Sequence, residues 1–288
     1  MATILITGTS KGIGLEAALT CGRAGHHVAA TMRNPSQATE LLNTIKSENL
    51  PIQVFKMDVD DDTSVNSTIA TITKEMGEID VLVNNAGIER MGSVEETSLA
   101  DFRVVMETNY FGVIRCIQAV VPAMRKRKSG CIINITSVAG RIASPSMSPY
   151  SASKFALEAL SEILAQEVKS FGIRVAIVEP GIIDTQMARH VTEGPAPSNY
   201  SHSKRLTALF TASLAHPVTP SIVADKILEI AVGNTEQLRH PVGPDALPFL
   251  GWRQSMNDEA WISLATLPDD AWYDRISSDF GMDVRPAG

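Results

Sequence analysis

The fold of this chain is decided by the stretch Thr7-Gly8-Thr9-Ser10-Lys11-Gly12-Ile13-Gly14. It directly follows a β-branched run over 4–6 and opens an apolar helical segment, so it is predicted to connect a first strand to a first helix. Glycines in such a turn let a phosphate approach the free amide groups and the positive end of the helix dipole. The glycine spacing is GxxxGxG, which is neither GxGxxG nor that of a Walker A loop. The stretch predicts a dinucleotide site, and a turn that needs glycine only for its shape is the alternative.

Short β-branched runs alternate with segments of helical periodicity on the C-terminal side of this stretch. A helix over 221–232 and a last strand over 237–242 complete the pattern. Strands that alternate with helices form a parallel sheet covered on both faces, so we predict an α/β, doubly wound fold with about seven strands. The other predicted strands are 4–6, 27–31, 52–57, 81–83, 131–135 and 174–178.

Composition limits the class of protein. The 288 residues are 44% hydrophobic and 20% charged, which predicts a folded core rather than a disordered chain. The formal net charge of -7 argues against a nucleic-acid partner. The histidines lack a metal-ligand spacing, so no metal is implied.

Cysteine usage and hydropathy indicate the compartment. Cys21, Cys116 and Cys131 are too few and too scattered for a disulfide framework, so we expect free, mostly buried thiols in a reducing environment. No apolar run approaches the roughly 18 residues that span a bilayer, and no basic leader precedes the first strand. We therefore expect no membrane span and a cytoplasmic location.

A second chemical signal is Tyr150-Ser151-Ala152-Ser153-Lys154. Tyr150 and Lys154 lie four residues apart at the start of a helical segment, so both side chains project from one face. An ammonium beside a phenol favours the phenolate and moves the phenol pKa from about 10 toward the neutral range. The pair predicts acid–base chemistry, and a surface tyrosine beside a solvated lysine is the alternative.

Four motifs together resemble the short-chain dehydrogenase/reductase family in order and spacing. They are Gly8-x3-Gly12-x-Gly14, Asn84-Asn85-Ala86-Gly87, Ser137 and Tyr150-x3-Lys154. The resemblance covers about residues 1–185 and is nearest to the branch of hydroxysteroid and retinol dehydrogenases. It implies a Rossmann fold with a nicotinamide over the carboxyl ends of the strands, and a carbonyl or alcohol substrate.

The resemblance also implies catalytic roles. Tyr150 would be the general acid/base, and Lys154 would lower its pKa and hold the nicotinamide ribose. Ser137 would donate a hydrogen bond to the substrate oxygen, and Asn109 would support a water-mediated proton relay to the lysine. The alternatives are a simple serine turn at Ser137 and a packing role for Asn109.

The implied cofactor contacts follow the same order along the chain. Asp58-Val59 resembles the pair beneath the adenine, and the segment from Pro180 to Thr185 resembles the contact to the nicotinamide carboxamide. A loop acid and a Pro-Gly turn are the alternatives for these two segments. The full set is Gly8, Ser10, Lys11, Gly12, Ile13, Gly14, Arg33, Asp58, Val59, Asn85, Ala86, Gly87, Tyr150, Lys154, Pro180, Gly181, Ile183 and Thr185.

The end of the second strand bears on the choice between cofactors. An NAD site usually places an acidic residue there to bind the ribose 2′-hydroxyl, whereas a 2′-phosphate needs positive charge. Here Met32 holds that position and Arg33 follows, while Lys11 lies in the glycine loop. Arginine can donate two parallel hydrogen bonds to a phosphate. We predict NADP(H) rather than NAD(H), with two solvated cations as the alternative.

The domain prediction is a single Rossmann-type catalytic domain over 1–242 and a C-terminal extension over 243–288 packed on it. Residues 188–220 include Gly194-Pro195-Ala196-Pro197 and many Ser or Thr, which predicts a mobile substrate loop with one short helix. The extension holds all three tryptophans, Trp252, Trp261 and Trp272. Packing onto the body is favoured for them over lining a pocket.

The function predicted is hydride transfer between NADP(H) and a fairly apolar carbonyl or alcohol. The fold and catalytic residues do not select a particular substrate. The resemblance implies a homodimer or homotetramer formed through the helices near 102–121 and 150–171. A non-catalytic NADP-sensing or interaction protein is the main alternative, and a cofactor-dependent lyase or epimerase is another.

Overall fold

A seven-stranded parallel sheet lies at the centre of the computed structural model, which describes residues 1–194 and 198–285. The strand order is β3-β2-β1-β4-β5-β6-β7, so the chain reverses its direction of winding between β1 and β4. This is the doubly wound order, in which ligands bind outside the carboxyl ends of the strands at the reversal point. The predicted fold class is confirmed. The strands are β1 Thr3–Thr7, β2 His27–Met32, β3 Ile52–Lys56, β4 Val81–Asn84, β5 Gly130–Ile135, β6 Ile173–Pro180 and β7 Arg239–Val242.

Helices cover both faces of the sheet. Helices α1, α2 and α9 contribute to the core on one face, and α3, α5 and α6 to the core on the other. A π-helical turn, Glu107–Phe111, joins α4 to α5. The helices are α1 Gly12–Arg23, α2 Thr39–Glu48, α3 Asp62–Met76, α4 Leu99–Met106, α5 Gly112–Arg127, α6 Ser148–Val168, α7 Gln186–Thr192, α8 His202–Leu214, α9 Ser221–Val232, α10 Ala246–Gln254, α11 Asp258–Ala265 and α12 Asp269–Phe280.

The first strand shows why the sheet is buried on both faces. All five residues of β1 are buried, and Ile4 and Ile6 pack into one core while Leu5 packs into the other. Successive side chains of a strand point to opposite faces, so a continuous apolar run supplies both cores. Each such side chain contributes about 1.5–3 kcal/mol when fully buried. The cysteines lie in the same cores, and burial raises the pKa of the Cys21 thiol to about 12.

One continuous helical stretch in the described part of the chain, Leu99–Arg127, is long and apolar enough by composition to cross a bilayer. It consists of α4, the π-helical turn and α5. Its buried side chains, among them Val113, Cys116 and Val120, pack against α3 and the sheet. A core helix of a water-soluble fold meets the same length and composition test, so this stretch is weak support for a membrane span.

The substrate loop predicted over 188–220 is more helical than expected. Instead of one short helix it contains the end of α7 and all of α8, while residues 195–197 lie outside the described part. Thr185 caps α7, because its Oγ1 accepts a hydrogen bond from the Ala188 amide at 3.2 Å. In α8, Leu206, Leu209 and Phe210 recur at helical spacing and pack inward. Because many serine and threonine residues lie between these apolar positions, the helical periodicity could not be recognised from the sequence.

The C-terminal extension folds as three helices, α10, α11 and α12, joined by aromatic contacts. The ring centroids of Trp252 and Trp261 are 5.0 Å apart, and those of Trp252 and Phe280 are 5.2 Å apart, both edge to face. Arg205 of α8 ties the extension to the body, since its Nε donates to Asp269 at 2.7 Å and its Nη1 to the Ala265 carbonyl at 3.1 Å. The tryptophans therefore do have the packing role that was favoured for them.

Candidate active site

A cleft of about 1740 Å³ opens at the carboxyl ends of the strands. Every residue predicted to bind the cofactor lines it, and so do Ser137, Tyr150 and Lys154. Asn109 is the exception, because it is fully buried behind the cleft wall. The structure thus brings together in one place residues that are up to 177 positions apart in the chain, Gly8 to Thr185.

The glycine-rich turn forms a cradle at the start of α1. Gly8 and Gly12 have φ values of +72° and +60°, which L side chains rarely adopt. A Cβ on Gly14 would overlap the Gly8 carbonyl oxygen and the Asn85 side-chain amide. Gly12, Ile13 and Gly14 line the cleft, and the first amide groups of a helix have no acceptor within the helix. The cradle fits a dinucleotide pyrophosphate, as predicted from the spacing.

The turn after β4 braces this cradle. The Asn85 Nδ2 donates to the Thr7 carbonyl at 2.9 Å and to the Gly8 carbonyl at 3.0 Å. The Thr7 hydroxyl in turn accepts from the backbone amides of Asn85 and Ala86, each at 3.0 Å. Two turns distant in sequence are therefore held as one unit around the position of the predicted adenosine and pyrophosphate.

Two cations border the far side of the cradle. Met32 ends β2 as a buried residue, and Arg33 follows it as an exposed residue on the cleft. The Lys11 Nζ donates to the Gln186 side chain at 2.6 Å, so it links the cradle to the first turn of α7. Gln186 was not predicted as part of the site. Asp58 and Val59 line the same side of the cleft.

Tyr150 and Lys154 lie in the first two turns of α6, as their spacing predicted. The Lys154 Nζ donates to the Ile135 carbonyl at the end of β5 at 2.8 Å, and it lies 5.6 Å from the centroid of the Tyr150 ring. Lys154 is 5% exposed. The alternative of a solvated surface lysine is therefore excluded.

The pKa of the phenol differs from the expectation. Burial raises the pKa of Tyr150 to about 12, and the Ser137 hydroxyl only partly opposes this. Burial also lowers the pKa of Lys154 to about 8, against the opposing charge of Glu158. Lys154 is not among the groups that shift the Tyr150 pKa here, so the lowering of that pKa by Lys154 stays a prediction, and desolvation of the phenolate is the largest cause of the shift.

Ser137 forms a serine turn and also lines the cleft, and its hydrogen bond to a substrate oxygen stays a prediction. It caps the short helical turn Val138–Gly140, accepting from the Ala139 amide at 3.1 Å, and it donates to the Pro180 carbonyl at 3.4 Å. The same hydroxyl faces the cleft and interacts with Tyr150. The serine turn therefore orients this hydroxyl toward the cleft.

Asn109 lies in the π-helical turn between α4 and α5, an irregularity that is frequent at functional sites. Its Oδ1 accepts from the Ile88 amide at 2.8 Å, and its Nδ2 donates to the Ile88 carbonyl at 2.9 Å. A Cβ on Gly87 would stand 3.3 Å from this Oδ1 and 3.8 Å from the Lys154 Nζ. Gly87 therefore leaves open a space between the asparagine and the lysine, where the predicted relay would run.

The segment from Pro180 is held by a residue that sequence reasoning missed. Asp245, at the start of α10, accepts from the Ile182 amide at 2.8 Å, and a Cβ on Gly181 would overlap its carboxylate. Burial raises the pKa of this carboxyl. No local signal marks Asp245, because its partner lies 63 residues earlier in the chain.

The cleft has two ends of different composition. The glycine-rich end consists of the cradle and its Asn85 brace, and the aromatic end is formed by α8 and the C-terminal extension. All three tryptophans line the aromatic end, so they line the pocket as well as packing the extension. Among residues 1–194 and 198–285, no group of three His, Cys, Asp or Glu side chains could hold a metal ion. The other apolar lining residues of the aromatic end are Leu206, Leu209, Phe210, Phe249, Ile262, Leu264, Ile276 and Phe280.

The doubly wound sheet, the phosphate cradle at α1 and the Tyr150–Lys154 pair on one cleft define a Rossmann-type, dinucleotide-dependent oxidoreductase. A family model described as short chain dehydrogenase matches residues 2–196. The chain belongs to the short-chain dehydrogenase/reductase family, and it is an enzyme of that family, as the motifs predicted.

Curated relatives and solved structures agree with this. The chain is 35% identical over 267 residues to "Oxidoreductase BOA17" of Botryotinia fuckeliana (strain B05.10), covering 90% of this chain and 96% of that protein. It is 35% identical over 263 residues to "Retinol dehydrogenase 8" of Bos taurus, covering 86% of this chain and 83% of that protein.

Two solved structures share the fold over most of their length. A short-chain dehydrogenase from Streptomyces avermitilis superimposes with a TM-score of 0.77 at 31% identity, covering 96% of this chain and 97% of that one. The structure of ElxO with NADP bound gives a TM-score of 0.73 at 29% identity, covering 86% of this chain and 99% of that one.

Proposed function

We propose that the protein interconverts a carbonyl and an alcohol by NADP(H)-dependent hydride transfer, with Tyr150 as the general acid/base. The observation that carries this proposal is that Tyr150, Ser137 and the phosphate cradle face a single cleft. When bound, a nicotinamide dinucleotide supplies or accepts the hydride. The protein orients the substrate and supplies the proton.

The side chains suit these tasks. In reduction, the hydroxyls of Ser137 and Tyr150 donate hydrogen bonds to the substrate carbonyl oxygen, and Tyr150 then gives up its proton to that oxygen. With a pKa near 8, Lys154 is mostly charged at neutral pH, so it stabilises the phenolate that remains. Its bond to the Ile135 carbonyl holds the ammonium in place. Asn109 bonds both the backbone amide and the backbone carbonyl of Ile88, and so fixes the part of the cleft wall beside Lys154.

Positive charge supports NADP(H) over NAD(H). Arg33 and Lys11 both border the glycine-rich end, where no acidic residue ends β2. A ribose 2′-phosphate would offer each of them a charge-assisted hydrogen bond. The solved structure of ElxO holds NADP, which supports the same choice.

The aromatic end supports an apolar substrate. Its walls are tryptophan, phenylalanine and aliphatic side chains from α8 and the C-terminal extension. Apolar walls with few polar groups are typical of sites for apolar small molecules. The relative from Bos taurus is named for retinol, which is such an alcohol.

The test is a panel of ketones, aldehydes and alcohols of increasing chain length, assayed with each cofactor. We expect NADPH to be consumed one for one with the alcohol formed, and kcat/KM to rise with chain length. Binding of NADPH with no turnover on any compound would instead support a sensing or interaction protein. Product formation with no net change in cofactor would support a lyase or epimerase.

The oligomeric state is part of the same proposal. Phe111, Phe155 and Ile163 are 45%, 42% and 52% exposed on the helices from which self-association was predicted. Large apolar side chains left exposed on helices are candidates for burial between subunits. We expect a homodimer or homotetramer, and light scattering of the wild type and of Ile163→Glu measures it. A wild-type monomer would contradict this.

A further inference from the structure

One carboxylate lies in the cleft close to the Tyr150–Lys154 pair and takes no part in the proton transfer. Glu89 directly follows Ile88, whose amide and carbonyl are both bonded to Asn109. Two residues earlier, a Cβ on Gly87 would stand 3.8 Å from the Lys154 Nζ. The backbone that carries Glu89 is thus fixed beside the reacting groups.

The Glu89 side chain is mostly buried but still open to the cleft. It is 14% exposed, and it lines the cleft. Within residues 1–194 and 198–285, its carboxylate has one hydrogen-bond partner, the His190 Nδ1 of α7 at 3.1 Å. An ionised carboxylate has about four acceptor sites. Most of its acceptor capacity therefore remains for a ligand in the cleft.

The charge of Glu89 reaches the reacting centre. Its negative charge contributes to the raised pKa of the Tyr150 phenol, which places the two groups within electrostatic range of each other. Nearby wall residues such as Met91, Met147 and Leu206 are apolar. In a mostly apolar pocket, a few polar groups set the orientation and the specificity of the ligand.

We propose that Glu89 selects substrates that carry a protonated amine beside the reacting carbon and a long apolar chain. The ammonium donates to the Glu89 carboxylate, and the chain extends along the cleft toward Trp252 and Trp261. A partly desolvated carboxylate favours a cationic partner, because an unpaired charge there is costly. This inference rests on the proposed function and adds to it the chemical class of the substrate.

The first test measures binding without turnover, using the full chain. Every tryptophan of the protein lines the cleft, so its intrinsic fluorescence reports occupancy directly. The probes are decylamine, decanol and decanoate, each below its micellar concentration at neutral pH. We expect decylamine to bind about tenfold or more tightly than decanol, with decanoate weakest, because only the ammonium forms an ion pair with the Glu89 carboxylate and the decanoate charge is repelled by it.

Variants separate a binding role from a purely structural one. Glu89→Gln should remove the preference for decylamine and leave the affinity for decanol unchanged. Glu95→Gln is the matched control, since Glu95 is an exposed carboxylate at the mouth of the same cleft, bonded to the Tyr200 hydroxyl. It should keep the wild-type preference. His190→Ala removes the competing donor, and we expect it to maintain or increase the preference.

Two binding results would overturn the proposal. One is a preference for decylamine that survives Glu89→Gln. The other is an equal loss of affinity for all three probes in both Glu89→Gln and His190→Ala. That loss would mean that the Glu89–His190 bond only ties α7 to the loop after β4.

The second test measures turnover of long-chain methyl ketones with and without an amino group on the carbon next to the carbonyl. We expect the amino ketone to have the higher kcat/KM, and Glu89→Gln to bring the two values together. Normal turnover with no preference for the amino ketone would refute this inference alone. Failure of every ketone would refute the proposed function, and the binding result would still stand by itself.

Discussion

The glycine-rich end of the cleft is built from backbone turns, whereas the aromatic end is built from the side chains of four helices. At the first end, Gly14 has no room for a single added Cβ, because the Gly8 carbonyl and the Asn85 amide stand in its place. In α10, which supplies side chains to the second end, Gly251 is exposed outside the cleft lining and has nothing within 4 Å of where a Cβ would be. The comparison teaches that the first end depends on chain conformation and the second on side-chain volume and shape.

The two ends are joined at a few points. Lys11 of the cradle bonds Gln186 of α7, and Asp245 of the extension bonds the Ile182 amide. Ile182 and Gln186 belong to the same segment after β6, and both line the cleft. Changes at one end should therefore leave the other intact unless they affect these contacts.

The largest expected effect lies between the ends, at Tyr150. Tyr150→Phe removes the proton donor, so kcat should fall by about a hundredfold to ten-thousandfold. The dissociation constant for NADPH should change little, because the phosphate cradle is untouched and only one hydroxyl of the cofactor site is lost. Steady-state turnover and a fluorescence titration with NADPH measure the two quantities. Substantial residual turnover would show that another group supplies the proton.

The second effect tests the glycine-rich end. Gly14→Ala forces the cradle apart, and overpacking of about 1–3 kcal/mol should lower NADPH affinity by roughly tenfold to a hundredfold. Gly251→Ala is the control on the exposed side of α10, where the same added methyl should stabilise the helix by up to about 1 kcal/mol. NADPH titration and thermal unfolding of both variants test this. Equal responses of the two variants would remove the contrast between the ends.

The third effect tests the identity of the cofactor. Arg33→Ala should lower kcat/KM with NADPH by at least about tenfold, since one charge-assisted hydrogen bond to the 2′-phosphate is lost. The value with NADH should not change. Steady-state kinetics with both cofactors on one substrate measures the ratio. A parallel fall with both cofactors would contradict a 2′-phosphate contact at Arg33.

The smallest effect on turnover is expected at the aromatic end. Arg205→Met leaves the Ala265 and Leu267 carbonyls without their guanidinium donor, which should cost about 1–3 kcal/mol of stability. KM for apolar substrates should rise as the extension loosens, while NADPH affinity is retained. Thermal unfolding and KM for a long-chain ketone measure these changes. A loss of NADPH affinity as large as the rise in KM would mean that the ends are not independent.

Much of the fold could be predicted from the sequence because its signals are local. The strand His27–Met32 and the helix Ser221–Val232 follow from runs and periodicities of adjacent residues. The pairing of Tyr150 with Lys154 follows from helical spacing alone. By contrast, the length of α8 was underestimated as one short helix in a loop, since its apolar positions are interleaved with polar residues.

The parts of the site that could not be predicted depend on contacts between distant segments. Glu89 meets His190 across 101 residues, and Lys11 meets Gln186 across 175 residues. No pattern of neighbouring residues indicates such a pair. The raised pKa of Tyr150 could not be predicted for a related reason, because it depends on how much of the chain covers the phenol.

The amino-acid sequence by itself determined the alternation of strands and helices, the phosphate cradle and the tyrosine–lysine pair on one helix. These features arise from backbone preferences and from periodicities of a few residues, which adjacent side chains encode. Only the tertiary structure decided that the C-terminal extension lines the cleft, that Asp245 holds the segment after β6, and that Glu89 lines the same cleft as Tyr150. Desolvation and long-range contacts exist only once the chain is packed, since they depend on which segments exclude water from one another.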